Sequence, residues 1–321
     1  MSEKDNLSKI EIQIAKENGF ILCGKTGSGK TTLLNAIFDK TMGKVERSKK
    51  IVTEKTTVYY YKLENGKCIS IIDTPGIDDT QLNNEKIINI NLEGIIEEIS
   101  KNNIQVKGII FLTNFQDERF DVSEQMTLLE YNKIFPFPRF WKNLIVIFTH
   151  YFGDPDGEDV EEMKKERDRA NGVIFEELME KVQEVSEPIN YQDLQIKYFN
   201  SYYPINSKYE KKRMRNMKNR DELEIEFDKL INSEPLFSSI EIIRVKDYIM
   251  EENGKKYLAD IKRIGYFLKG NNKPIKENIK IISRKEIYDD KEEIKNKEEI
   301  NDKEEIKKIY QNNKNPSCLI F

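Results

Sequence analysis

The sequence predicts an α/β fold: a mostly parallel sheet with one antiparallel hairpin strand, helices on its faces, and a helical C-terminal extension. Three observations carry this. From Phe20 to about Ser201, short apolar runs alternate with longer amphipathic stretches, the pattern of parallel strands joined by crossover helices. The run Gly24-Lys25-Thr26-Gly27-Ser28-Gly29-Lys30-Thr31 stands between an apolar segment and a helical one, where a phosphate-binding turn belongs. Two further apolar runs are joined by Glu64-Asn65-Gly66, whose Asn-Gly pair marks a tight hairpin.

In chain order, the expected strands are Phe20 to Gly24, Thr56 to Lys62, Lys67 to Ile72, Gly108 to Thr113, Leu144 to Thr149 and Lys197 to Asn200, with a helix over Thr32 to Asp39 after the first. Past Ser201 the strand-like runs stop and the chain reads as helices. Between Lys255 and Lys285 ten Lys/Arg face two acidic residues, Asp260 and Glu277, while Tyr257, Leu258, Ile261, Ile264 and Leu268 make an apolar stripe at helical spacing. Such a helix either packs on its own domain or lies on an anionic membrane surface. From Lys291 the chain repeats KEEIKN, KEEIND, KEEIKK, which sets Ile294, Ile300 and Ile306 about 240° apart on a helix. A charged, partly helical spacer fits this better than a coiled coil. The expected divisions are a lead-in over 1–17, a nucleotide-binding domain over 18–205, a helical extension with the basic segment over 206–285, and a spacer with a terminal box over 286–321.

Composition narrows the function classes. A net charge of −4 argues against nucleic acid as a general partner. No apolar stretch approaches the roughly 18 to 20 residues of a membrane span, and the charged start Met1-Ser2-Glu3-Lys4-Asp5 is unlike a secretory signal. Three widely spaced cysteines, with Cys23 and Cys68 inside expected strands, make neither a disulfide framework nor a zinc site and suit a reducing cytosol.

The chemistry starts at the glycine-rich run. Its backbone N–H groups would face phosphate oxygens, with Lys25, Thr26, Ser28 and Thr32 completing the cradle. Lys30 would reach the β- and γ-phosphates, and Thr31 would place a hydroxyl on Mg²⁺. The third strand runs into Asp73-Thr74-Pro75-Gly76, where Asp73 would hold Mg²⁺ through water and the Gly76 N–H would sense the γ-phosphate. Thr53, Thr56 and Thr57 are the hydroxyls available to complete the Mg²⁺ shell; Thr53 is preferred because it precedes the strand. After Gly76 stands Ile77, which can neither orient nor activate water; hydrolysis by an isolated copy should therefore be slow. Asp78 and Asp79 follow as ordinary polar residues. An Asn-Lys-x-Asp base-reading motif is absent; in its place stand Thr149 and His150, the only histidine, with Asp154 two residues late. His150 is placed to stack on a base, and Asn200, at the end of the last strand, to offer its amide to a purine.

These residues resemble the AIG1 family of septin-like P-loop GTPases, whose relatives are immunity-associated GTPases and chloroplast import-receptor GTPases. The resemblance spans roughly residues 18 to 205 and includes Asn35, the Thr53 region, Asp73 to Asp79, Thr149-His150, and Gly108 to Gln125, where Arg119, Phe120 and Asp121 match a box particular to the family. It implies a P-loop GTPase domain, GTP/GDP and Mg²⁺ as ligands, and homodimerisation or oligomerisation through that domain. It also nominates Arg119, whose family counterpart lies near the dimer interface, as an arginine finger acting across it. Asp121 and the missing fourth motif depart from the animal pattern, and the Thr-His pair resembles the import-receptor side.

The chain ends in Cys318-Leu319-Ile320-Phe321, a prenylation box with a terminal residue that favours geranylgeranyl. One lipid anchors weakly, so the basic segment is the second signal expected. The sequence thus leads to a slowly hydrolysing GTP switch, tethered by lipid to the cytoplasmic face of a cell membrane with a cytosolic pool. A nucleotide-dependent membrane scaffold with negligible turnover and a P-loop ATPase are the alternatives.

Overall fold

A computed structural model describes residues 7–37, 56–76, 85–117, 119–135, 138–151, 158–182, 189–200, 210–252, 255–271 and 273–287. Thr53, Ile77, Asp78, Asp79, Asp154, the KEEI repeats and the terminal box with Cys318 lie outside them. The chain divides into two compact units, residues 1–239 and 240–321.

The first unit is built on a six-stranded sheet of order β2-β3-β1-β4-β5-β6. Its strands are β1 (Gly19–Gly24), β2 (Thr57–Lys62), β3 (Cys68–Asp73), β4 (Val106–Asn114), β5 (Leu144–Tyr151) and β6 (Gln195–Asn200). β1 is parallel to both β3 and β4, β4 to β5 and β5 to β6; only β2 runs antiparallel, against β3. Every residue of β1 and β3 is buried, which is why these strands read as continuous apolar runs rather than alternating ones. The hairpin turn is closed by Asn65, whose side-chain oxygen accepts the Lys67 N–H at 3.0 Å.

The helices are α1 (Lys9–Lys16), α2 (Lys30–Ile37), α3 (Glu85–Asn102), α4 (Val122–Ile134), the single turn α5 (Arg139–Lys142), α6 (Glu158–Lys181) and α7 (Glu210–Asn232). α1 opens on a reciprocal Ser8/Glu11 capping box. α2 starts two residues before the expected Thr32, because Lys30 already lies in its first turn. α7, expected as part of an appendage beyond 205, belongs to the first unit. Its Leu223, Phe227 and Leu230 join the core around Phe20, Leu33 and Leu34, with the Phe20 and Phe227 ring centroids 4.5 Å apart. The segment after α7 is sewn to the sheet: Val106 N–H donates to Phe237 O at 3.0 Å, and Asn143 Nδ2 donates to Lys107 O and Glu234 O. No helix among the described residues is long and apolar enough to cross a membrane.

The second unit corrects the sequence reading. Residues expected as a basic helix form a three-stranded sheet of β7 (Ser239–Glu252), β8 (Lys255–Phe267) and β9 (Lys276–Ile287), with β8 and β9 antiparallel. Among the described residues of 206–285, the helix is α7. Along β8 the buried residues Ala259, Ile261, Ile264 and Tyr266 include a step of three, from Ile261 to Ile264, which a helix shares and a regular strand alternation lacks. The register shift opposite Asp260/Ile261 lies in β9, where Ile282 is the extra residue.

Candidate functional site

The site is assembled where β1, β3, β4 and β5 end. β1 delivers the chain into a loop in which Gly24, Gly27 and Gly29 all have positive φ, at 144°, 83° and 93°. Lys30 then opens α2, buried at 6 % exposure. Its Nζ donates to Gly24 O and Lys25 O, both at 2.8 Å, so the loop wraps the ammonium with its own carbonyls. Burial lowers the Lys30 pKa to about 8, opposed chiefly by the nearby Asp73 carboxylate. The side-chain oxygens of Thr26 and Ser28 are buried in the same loop without a protein partner. A buried cation, two orphaned hydroxyls and a helix N-terminus converging on one loop fit a bound phosphate. Thr31 and Thr32 occupy the first turn of α2 and are partly exposed.

Asp73 ends β3 at 3 % exposure. The turn after it is fastened to β1, since Thr74 donates to Leu22 O through its hydroxyl at 2.8 Å and through its N–H at 3.2 Å. Gly76 then lies directly on the phosphate loop: a Cβ there would stand 2.6 Å from Thr26 Oγ1, 2.7 Å from Thr26 Cα and 2.8 Å from Thr26 N. Of the two described threonines considered for the metal shell, Thr56 Oγ1 lies 3.6 Å from where a Cβ on Gly94 of α3 would sit, and Thr57 pairs opposite Asp73 across the hairpin. Among the described residues no three His, Cys, Asp or Glu side chains gather as a metal cluster, so hydroxyls and phosphate oxygens would have to share the ion with Asp73.

From the other side comes the end of β5. Thr149 is buried, and its hydroxyl lies 2.8 Å from Ser28 O and 3.1 Å from Thr113 O, tying the phosphate loop to β4. His150 follows at φ +56°, with its Nδ1 3.0 Å from the same hydroxyl and its ring beside Gly29. Burial pushes its pKa below the ordinary 6.5, partly offset by Asp117. When the single Thr149 hydroxyl proton goes to Ser28 O, Nδ1 carries the imidazole proton and donates to that hydroxyl, leaving Nε2 as an acceptor. Asn200 ends β6, opposite Tyr151.

Between β4 and α4, Phe120 is buried beside the Phe111 and Phe148 rings while Arg119 is exposed. Asp121 caps α4 in a reciprocal capping box with Glu124 and pairs with Lys25 of the phosphate loop. Glu124 is fully buried, accepts from Thr113 Oγ1 at 2.5 Å, and has its pKa raised to about 7 by burial.

Comparison with known proteins decides the family. The AIG1 family model matches residues 18–192, more than half of the chain. The protein belongs to the AIG1 family. Among curated relatives, GTP-binding protein A of Dictyostelium discoideum is 28% identical over 178 residues, covering 51% of this chain and 38% of that protein. The chain thus spans well under two thirds of that relative. Immune-associated nucleotide-binding protein 13 of Arabidopsis thaliana is 25% identical over 283 residues, covering 88% and 70%. Among solved structures, Toc33 from Arabidopsis thaliana in complex with GDP and Mg²⁺ superimposes with a TM-score of 0.50 at 16% identity, over 70% of this chain and 88% of that one. A dimerization-deficient arginine-to-alanine mutant of Toc33 gives 0.50 at 15% identity, over the same shares. The fold of this AIG1 protein is that of the P-loop GTPases.

The glycine run, Asp73-Gly76 and Thr149-His150, expected from the sequence, are thus brought to one place. Three contacts were not expected: Thr149 to Ser28, Lys25 to Asp121, and the Tyr131 hydroxyl of α4 with Thr74 and Cys23. Only the capping box Asp121/Glu124 leaves a local trace in the sequence.

Proposed function

We propose that this AIG1 protein binds GTP and GDP with Mg²⁺ and hydrolyses GTP slowly, as a switch that self-associates when GTP-loaded. The observation that carries the reading is the buried Lys30 facing Asp73, with Gly76 packed on Thr26. This geometry presents a cation to the phosphates and sets Gly76 against the loop that would hold the third of them. Lys30 neutralises phosphate charge, Thr31 and Asp73 hold the metal, and His150 meets the edge of the base, in place of the stacking expected from the sequence. Its Nε2 lone pair can accept the N1–H of guanine; adenine has no N–H there. Equilibrium competition between GTP and ATP in the presence of Mg²⁺ is the test. Guanine preference should persist at neutral pH and decline as pH is taken well below 6.5, where protonation turns Nε2 into a donor.

Arg119, exposed and two residues before the Asp121 that pairs with Lys25, supplies the polarity that Ile77 lacks, acting on the nucleotide of a second copy. Turnover per molecule is therefore expected to rise with protein concentration, and in Arg119→Ala to become flat and at least tenfold lower at the top of the range. If wild-type protein retains GTP for hours in single turnover at high concentration, the scaffold reading, which Ile77 favours, replaces the switch.

We propose further that a prenyl group on Cys318 would hold the protein on the cytoplasmic face of a membrane, in exchange with the cytosol. The lysines and arginines of β8 and β9 supply a second, electrostatic attraction to anionic lipid. Cys318→Ser is expected to shift the protein from the membrane fraction to the soluble one; unchanged fractionation would refute the tether.

A further inference from the structure

We propose that Asp121 is a positioning residue: by gripping α4 with one carboxylate oxygen and Lys25 with the other, it fastens the Arg119 loop to the phosphate loop. The two oxygens divide the work. Oδ1 accepts the Glu124 N–H at 2.9 Å and caps the helix, while Oδ2 takes the Lys25 ammonium. Lys25 is itself part of the cradle, because its carbonyl accepts Lys30 Nζ at 2.8 Å. The pair therefore reaches the phosphate-binding lysine through one backbone carbonyl.

The loop is held on the other side too. Phe120 N–H donates to Asn171 Oδ1 at 2.9 Å, and Gln125 Nε2 donates to Phe120 O at 3.0 Å. Glu124, bonded to Thr113 Oγ1 and to the Asp121 N–H, fixes the first turn of α4 to the end of β4. Arg119 is thus an exposed cation next to two anchored residues. Asp121 connects to the nucleotide cradle directly, through the Lys25 side chain. As a surface ion pair the contact adds little to stability, since the Lys25 and Asp121 side chains are 18% and 37% exposed. Its consequence is geometric: movement of the phosphate loop is passed to the loop that presents Arg119. The consequence for turnover rests on the reading of Arg119 as acting across a dimer; the tether itself does not.

Asp121→Asn separates the two roles. Asparagine caps a helix as well as aspartate, but its Nδ2 would confront the Lys25 ammonium, donor against donor. Hydrogen–deuterium exchange on the full chain should show the amides of 115–121 exchanging about threefold to fivefold faster in Asp121→Asn, with those of 127–134 unchanged. Lys25→Met, which leaves the cap intact, should loosen the same amides. Unchanged exchange at 115–121 in both variants would overturn the proposal.

Turnover then tests the link to Arg119. The concentration-dependent part should fall in Asp121→Asn, and the Asp121→Asn/Arg119→Ala double variant should be no slower than Arg119→Ala alone. A further drop in the double variant would mean that Asp121 acts on the phosphate loop alone, contradicting the proposal. Wild-type turnover that does not vary with concentration would remove the dimer reading of Arg119. In that case the exchange measurement still decides the tether.

Discussion

Lys30→Ala will bind guanine nucleotide roughly a thousandfold more weakly than the wild-type protein, a loss of about 4 kcal/mol. Two effects add. The ammonium that meets the phosphate oxygens is removed, and a charge-assisted hydrogen bond of this kind is worth about 1.5 to 3 kcal/mol. Gly24 O and Lys25 O, which now accept from Nζ, also lose their donor, so the loop no longer has a reason to hold its curl. Titration with a fluorescent GDP analogue measures the loss, and a thermal melt of the variant checks that the fold persists. The same lysine gives a pH signature. Its pKa is lowered to about 8, so the nucleotide-free protein carries the charge below that value and must take up a proton to bind above it. Affinity in the wild type is therefore expected to fall as pH rises through about 8, and this limb should be missing in Lys30→Ala.

Gly76→Ala is expected to abolish the preference for triphosphate over diphosphate while leaving GDP affinity within a few-fold. The added methyl would meet the Cα and N of Thr26, backbone atoms that cannot swing aside, at 2.7 and 2.8 Å. Such overpacking costs about 1 to 3 kcal/mol, which corresponds to roughly tenfold to a hundredfold in GTP affinity. The turn is anchored on its other side by Thr74 on Leu22 O, so strain at Gly76 is relieved by moving the N–H away from the phosphate loop. The ratio of GTP-analogue to GDP affinity, measured in both proteins, reads this directly. Retention of the wild-type ratio would show that the close approach of Gly76 to Thr26 has no part in sensing the third phosphate.

How much of this was legible in the sequence depended on how local each signal is. β1, β3, β4 and β5 announce themselves because strands covered on both faces need unbroken apolar runs, and the phosphate loop because its positive φ values demand glycine. The hairpin was legible for a similar reason, the Asn65-Gly66 turn. The clasps that hold the site together were not. Thr149 meets Ser28 and Lys25 meets Asp121 across 121 and 96 residues, and no periodicity records a contact at that distance. The basic segment misled because the buried Ile261 and Ile264 of β8 stand three residues apart, a step that a helix shares. Apart from the buried Lys262, the lysines of β8 and β9 therefore line a sheet, and a membrane attraction through them would act by charge and not by insertion of an amphipathic helix. α7 looked like an appendage because its exposed face is so highly charged, although Phe227 is fully buried against Phe20.

The central claim is that a guanine nucleotide is read without an Asn-Lys-x-Asp motif, by an imidazole whose acceptor nitrogen is set by Thr149. Equilibrium displacement of bound fluorescent GDP by unlabelled GTP and by ATP, with Mg²⁺ at neutral pH, tests it most directly. The account predicts displacement by GTP at concentrations at least a hundredfold lower than by ATP, in keeping with the discrimination that a matched hydrogen bond gives over an unmatched one. Equal displacement by the two nucleotides would contradict it.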